Sequence, residues 1–175
     1  MKLLEVLIYI HAGLGSIALL AGFIAAISSK GKKVHKKTGV IFHHAMVLSI
    51  LVSLAVAISP DRFNPFLFGI GIFSLYAVLS GKRILNVRKS DYNIKIDYLL
   101  AYLLIVNCIF MIAVPVFYYG KINIILTVFG IIGLIGGVLD LRAYRNIELL
   151  KAERIKHHIN KISGGYIAAI TAFLV

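Results

Sequence analysis

The chain has 175 residues, of which 60% are hydrophobic and 15% are charged, and its formal net charge is +12. A soluble domain of this size could not bury so much apolar surface, so the composition excludes an ordinary soluble protein and favours an integral membrane protein. The positive charge does not favour nucleic-acid binding, because the basic residues are confined to short connections between apolar segments. We therefore expect the lipid bilayer, and not a nucleic acid, as the partner of this chain.

Six apolar segments follow one another along the sequence. A helix of about 20 residues crosses a hydrocarbon core of about 30 Å and satisfies its own backbone hydrogen bonds there. The pattern predicts an all-α fold, a single membrane domain over residues 1–175, with transmembrane helices at about 3–27, 39–59, 64–81, 98–119, 122–141 and 159–175. The last segment is short and ends on the apolar residues TAFLV, so we expect this helix to be clipped.

The basic residues predict how the chain is oriented. Three connections, after the first, third and fifth segments, carry sixteen of the nineteen lysines and arginines, and only Lys2, Arg62 and Lys121 lie at the opposite ends. Because positive residues stay in the cytoplasm during insertion, we expect the N-terminus outside the cytoplasmic membrane. The chain then forms three helical hairpins whose basic turns face the cytoplasm and could also attract anionic lipids.

Small residues within the apolar segments predict helix contacts. Gly22 lies on a small-residue stripe of the first helix, Gly133 and Gly137 form a GxxxG pair in the fifth, and Gly164 and Gly165 begin such pairs in the sixth. Small residues let helix backbones approach each other in lipid. We interpret these pairs as packing faces rather than as ligand sites.

Four polar residues fall at membrane depth: His11, His43, His44 and Asn107. Intramembrane polar residues are costly unless they have a partner or a function. His43 and His44 are adjacent and therefore point about 100° apart, so only one of them can face a given site. For all four, the favoured interpretation is a polar side chain that is satisfied inside the bundle.

A tighter group is predicted at the cytoplasmic ends of three helices. His35 precedes the second helix, Asp140 closes the fifth, and His157 and His158 open the sixth. Two histidines and one carboxylate are a ligand set for zinc or non-haem iron, so His35, Asp140 and His158 are the main candidates for a site that holds a divalent metal or a polar ligand. His157, His44 and His11 are possible additions.

A purely structural alternative exists for the same group. A carboxylate at this depth is favoured only if a cation accepts it, and Asp140 could pair with Arg142, His35 or Lys161 and pin the helix ends together. The sequence leaves both interpretations open.

Four parts of the chain stand out together: HAG from His11 with the following ALLAG, VHKKTG from Val34, Asp140-Leu141, and HINK from His158 running into GGYIAAITAF. These stretches resemble a family of small bacterial multi-pass membrane proteins of unknown function. The family usually has His-Arg where this chain has His35-Lys36. The resemblance implies a bacterial inner-membrane location and points to His35, Asp140 and His158 as the positions of interest, but it implies no reaction.

Three functions compete on these observations. The first is a protein that binds or transports a metal ion or small polar ligand through the cytoplasmic His/Asp group. The second is a b-type haem electron-transfer protein, for which His44 with His157 or His158 is the remaining pair, because His11 and His43 lie roughly 16 Å apart along the membrane normal. The third is an enzyme, which is least favoured because HExxH, GxSxG and Ser-His-Asp patterns are missing from the sequence.

Overall fold

The computed structural model describes residues 2–59 and 63–174, and this part of the chain is helical without strands. Its helices are α1 (Lys2–Ile27), α2 (Lys33–Ala57), α3 (Pro65–Arg83), α4 (Ile94–Tyr119), α5 (Ile124–Ala143) and α6 (Ile147–Leu174), with a short 3-10 turn at Ile84–Asn86 after α3. The prediction of an all-α fold is confirmed. Arg62 and Val175, which entered the sequence predictions, lie outside the described residues.

Five helices, α1 to α5, are long and apolar enough to span a membrane. The prediction of a membrane protein with several spanning helices is therefore confirmed. The helix α6 is not among the five, because its first half carries charged residues, and only residues 159–174 are largely apolar.

Two of the predicted helix boundaries were wrong. The helix α2 begins at Lys33 and not near residue 39, so His35 lies in its first turn rather than in a loop. The helix α6 begins at Ile147, twelve residues before the predicted start. Both errors have one cause: the prediction looked for apolar membrane segments, whereas each helix extends beyond its apolar part into a polar, basic stretch.

Asparagines start the last four helices. The side chains of Asn64, Asn93, Asn123 and Asn146 each accept a hydrogen bond from a backbone N–H in the first turn of α3, α4, α5 and α6, at 3.0–3.1 Å. Such caps satisfy amides that have no partner within the helix. The helix α4 ends at Gly120, whose φ of 62° is the left-handed conformation that glycine adopts without strain.

The helix α3 is the centre of the bundle. In its span 61% of the residues are buried, against 17–33% in the other four spans. Its residues Ile70 and Phe73 belong to an apolar core shared with α4, α5 and α6, while Val78 belongs to a second core shared with α1 and α2. The helix α3 therefore contributes to both cores, whereas α1 packs on α2 and α6.

The predicted pairing of α5 with α6 in a hairpin was wrong. The helix α6 packs chiefly on α3, and α5 packs chiefly on α4. The close approach of α6 to α3 depends on Gly81, where a β-carbon would lie 2.9 Å from Ile162, and on Gly165, where it would lie 3.1 Å from Ala77. Gly133 and Gly137 of α5 face Cys108 and Ile105 of α4 in the same way, which confirms these glycines as packing residues.

One end of the bundle collects most of the basic residues, and we call it the basic end. It comprises the last turns of α1, α3 and α5, the first turns of α2 and α4, the 3-10 turn, and residues 147–161 of α6. Contacts join these parts directly: His35 to Ala25, Arg83 to Asp97, His158 to Gly81, and Lys161 to Asp140. The main candidates His35, Asp140 and His158 lie here, together with His157.

Candidate functional site

A buried ion pair lies at the centre of the basic end. The Lys161 ammonium on α6 contacts the Asp140 carboxylate on α5, and the Tyr76 hydroxyl on α3 donates to the same carboxylate oxygen. The Lys161 Nζ also lies 3.0 Å from the Tyr76 Oη and 4.9 Å from the centre of the Tyr76 ring. Three helices thus contribute one acid, one base and one hydroxyl to a single contact.

The fold explains why these groups meet. Asp140 is in the last turn of α5, where it faces the bundle beside the packing residue Gly137. Lys161 lies against α3 at Gly81: a β-carbon added to Gly81 would be only 3.2 Å from the Cβ of Lys161. A buried carboxylate or ammonium alone would lose several kcal/mol of hydration, so each ion is kept in its charged form by the other.

Two further titratable groups connect this pair to the surface. The His157 Nδ1 lies 3.8 Å from the Asp140 Oδ1, and the His157 Nε2 lies 3.9 Å from the Glu153 Oε2. The exposed fraction of the side chain falls from 39% at Glu153 to 20% at His157, 10% at Asp140 and 7% at Lys161. The four groups therefore form a series from the surface to the interior, which we call the relay.

Two hydroxyl groups beside the ion pair have no hydrogen-bond partner among the described residues. They belong to Ser80 and Tyr144, and both residues are almost completely buried. The Tyr144 hydroxyl lies near Tyr76 and Ser80, and burial raises the pKa of Tyr144 above its ordinary value. It therefore stays protonated and can donate a hydrogen bond. Buried polar atoms without partners are uncommon and call for an explanation.

A second ion pair closes the connection between α3 and α4. The Arg83 guanidinium donates from Nε and Nη2 to the two carboxylate oxygens of Asp97, at 3.2 and 2.9 Å, and Asp97 is fully buried. The Arg83 guanidinium also lies 5.3 Å from the centre of the Tyr92 ring. This two-pronged geometry, with a further bond from Nη2 to the carbonyl oxygen of Asn93 at 3.0 Å, holds the two ends of the connection together.

His35 and His158 have a different kind of partner. The Nδ1 of His35 is 3.0 Å from the carbonyl oxygen of Ala25, and the Nδ1 of His158 is 2.6 Å from that of Gly81. Since a carbonyl only accepts, the Nδ1 of each ring carries a proton. Burial is the main cause that lowers the pKa of His158, and the nearby His35 lowers it further.

The structure does not bring His35, Asp140 and His158 together as one ligand set. Asp140 is paired with Lys161, whereas His35 and His158 are each bound to a backbone carbonyl. Within residues 2–59 and 63–174, three or more His, Cys, Asp or Glu side chains are nowhere grouped as a metal site. Among the partners considered for Asp140 in the ionic alternative, Lys161 is the one that the structure supplies.

The other candidate histidines lie in separate surroundings. The Nδ1 of His11 is 2.9 Å from the carbonyl oxygen of Ser49, whose hydroxyl is 3.1 Å from the carbonyl oxygen of His11, so the two residues join α1 to α2. His43 is partly buried, and His44 is exposed with its ring packed edge-on against His43. His157 faces Asp140, and the Nδ1 of His158 faces the carbonyl oxygen of Gly81.

Sequence reasoning missed five residues of the site: Lys161 as a functional group, Glu153, Ser80, Tyr76 and Tyr144. Lys161 could have been found, because it is the only charged residue in the apolar stretch 159–175 and such residues are costly in a membrane. The tyrosines gave no such signal, since Tyr is common in apolar helices. Comparison of the chain with protein-family models, with curated proteins and with solved structures found no match.

Proposed function

We propose that this protein is a proton-coupled membrane protein that binds or transports a small polar ligand at the basic end. The observation that carries the proposal is the relay, in which four titratable side chains lead from the surface to a buried ion pair. Chains of acid, base and imidazole groups within membrane helices are typical of proton pathways in transporters.

Each member of the relay has a distinct role in the proposal. Glu153 and His157 carry protons between the cytoplasm and Asp140, because an imidazole can accept a proton on one nitrogen and release it from the other. The separations of 3.8 and 3.9 Å need one intervening water molecule or a small rotation of the ring for transfer. Protonation of Asp140 would weaken its hold on Lys161.

The ligand is inferred from the groups that surround the ion pair. When Asp140 is protonated, Lys161 becomes a buried ammonium in need of a new partner, and its neighbour Tyr76 lies near the hydroxyl groups of Tyr144 and Ser80. An ammonium with two hydroxyl groups suits a small ligand that carries a carboxylate or a similar anionic group. Proton uptake and ligand binding would thus be coupled through one carboxylate.

The topology of the proposal has all six helices crossing a bacterial inner membrane, with the N-terminus outside and the basic end in the cytoplasm. The distribution of lysine and arginine supports it. It is tested by single cysteines at Ser29 and Lys121 in a Cys108→Ser background, labelled with a membrane-impermeant maleimide on intact cells. Labelling of the Lys121 position alone is expected, and labelling of the Ser29 position alone would reverse the orientation.

The function is tested in vesicles that contain the purified protein and a trapped pH-sensitive dye. A potassium gradient with valinomycin drives protons, and amino acids and small carboxylates are added as probes. We expect wild-type vesicles to change internal pH faster than protein-free vesicles. His157→Gln should slow the change by roughly 10-fold or more, because a positioned proton carrier contributes about 100-fold or more to transfer rates.

A pair of matched variants on α6 provides the control. Glu153→Gln removes the outermost member of the relay, whereas Glu148→Gln removes an exposed acid whose partner is Lys151. We expect the first to slow the pH change and the second to leave it unchanged. Wild-type vesicles that behave like protein-free vesicles with protons and with every probe would overturn the proposal.

A further inference from the structure

A cleft of about 360 Å³ lies at the basic end, between the connection that follows α3 and the start of α6. Three basic residues line it, Arg88 and Lys89 from the connection and Lys151 from α6. Three apolar residues line it as well, namely Val87, Ile94 and Ile147. The cleft therefore combines positive charge with an apolar wall.

The charges in the cleft favour an anionic occupant. Arg88 and Lys89 are exposed, and Lys151 pairs at 2.8 Å with Glu148, whose side chain is 83% exposed. An ion pair at such an exposed position is weak and can be exchanged for a stronger partner. Asp91 is a further exposed acid on the same connection, so the cleft and its surroundings still carry an excess of positive charge.

The position of the cleft favours a lipid. Ile94 begins α4, and beyond it the spanning part of α4 exposes apolar side chains, among them Ile96 at 40%, Leu99 at 58% and Leu103 at 53%. Exposed apolar residues on a spanning helix face the acyl chains, and basic residues at the helix ends lie at the depth of the phosphates. A molecule with an anionic head and apolar tails matches both surfaces at once.

The walls of the cleft are also held in place. The Arg83–Asp97 ion pair joins α3 to α4 on either side of the connection, and the Arg83 guanidinium lies over the ring of Tyr92, which lines the cleft. On the opposite wall, the buried Leu150 of α6 belongs to the same apolar core as Val87. A site with fixed walls loses less entropy on binding than a flexible loop does.

We propose that this cleft binds the headgroup of one anionic phospholipid, with its phosphate between Arg88, Lys89 and Lys151 and its acyl chains along α4. This inference is independent of the relay, because none of these residues belongs to it. The lipid fastens the connection between α3 and α4 to the start of α6.

The proposal is tested by native mass spectrometry of the protein in mild detergent with added phosphatidylglycerol or phosphatidylcholine. We expect wild-type protein to retain one phosphatidylglycerol in preference to phosphatidylcholine. The triple variant Arg88→Gln, Lys89→Gln, Lys151→Gln should bind phosphatidylglycerol roughly 100-fold more weakly, since each basic residue near a lipid surface contributes about 5-fold.

The matched control removes the same number of charges elsewhere at the basic end. Lys33, Lys36 and Lys37 are exposed in the first turns of α2, and changing all three to Gln should weaken phosphatidylglycerol binding by less than about 3-fold. Equal weakening by both triple variants would mean that only the general positive charge matters, and it would overturn the proposal that the cleft is the binding site. Displacement of the lipid by equimolar glycerol phosphate would overturn the lipid as the occupant in favour of a soluble phosphate ester.

Discussion

Two neighbouring residues of α6 belong to two different kinds of polar centre. His157 faces the ion-pair centre of Asp140, Lys161 and Tyr76, in which charged side chains bind one another. His158 faces the carbonyl centre, in which the imidazoles of His158 and His35 bind the backbone of α3 and α1. A charged side chain can exchange a proton with an imidazole, whereas a backbone carbonyl can only accept a hydrogen bond from it. The two adjacent histidines therefore have different kinds of partner, a carboxylate for His157 and a backbone carbonyl for His158.

The largest effect is expected when one charge is removed from the ion-pair centre. Lys161→Met leaves the Asp140 carboxylate buried without a cation, which should lower the free energy of unfolding by about 3–5 kcal/mol. The measurement is unfolding of the purified protein in mixed micelles with increasing denaturing detergent. The double variant Asp140→Asn, Lys161→Met should recover most of the loss, and a double variant as unstable as the sum of its single variants would show that the two groups are not coupled.

A smaller effect is expected when the carbonyl centre is changed. His35→Leu and His158→Leu each remove one hydrogen bond to a carbonyl and should each cost about 1 kcal/mol of unfolding free energy. The two losses should add to within about 0.5 kcal/mol, because each ring is bound to its own helix. Strong coupling between them, together with zinc, iron or copper in elemental analysis of the wild type, would instead mean that the two imidazoles share a metal.

The helices and the basic end of the bundle could be predicted from the sequence. The side-chain partners at that end could not. Apolar segments and basic connections are local properties, so five spans and the basic end could be read directly. The start of α6 at Ile147 could also have been found, because Asn146 is a helix cap like Asn64 and Asn123.

The choice between His157 and His158 as the partner of Asp140 could not be made from the sequence. It depends on the rotation of α6 about its own axis, and that rotation is set by contacts of Gly81 with Ile162 and of Gly165 with Ala77 on α3. Residues one position apart differ by about 100° on a helix, so a small error in rotation exchanges their roles. The rotation of α6 is thus decided by packing between segments that are distant in the sequence, and no local sequence pattern predicts it.

The pH dependence of stability should separate the two centres further. Burial lowers the pKa of His158 in the folded protein, so the unfolded chain binds more protons there once the pH falls below about 6.5, the ordinary value for histidine. Stability should therefore decrease as the pH is lowered from about 7 to 5, and His158→Leu should make this decrease shallower. Unfolding at several pH values measures it, and an unchanged slope in the variant would mean that His158 is not the responsible group.

The smallest effect on stability is expected at His157, where the comparison is sharpest. Its contacts with Asp140 and Glu153 are 3.8 and 3.9 Å long, and its side chain is 20% exposed, so His157→Gln should cost less than about 1 kcal/mol. The same variant should slow proton movement in the vesicle assay strongly, although His158→Leu, with the larger loss of stability, should slow it little. If the less stable variant were also the slower one in the proton assay, the ion-pair centre would have only a structural role, like the carbonyl centre. If His157→Gln slows proton movement more than His158→Leu does, His157 takes part in proton transfer. Its loss costs the fold little, so the slower rate cannot come from a destabilised protein.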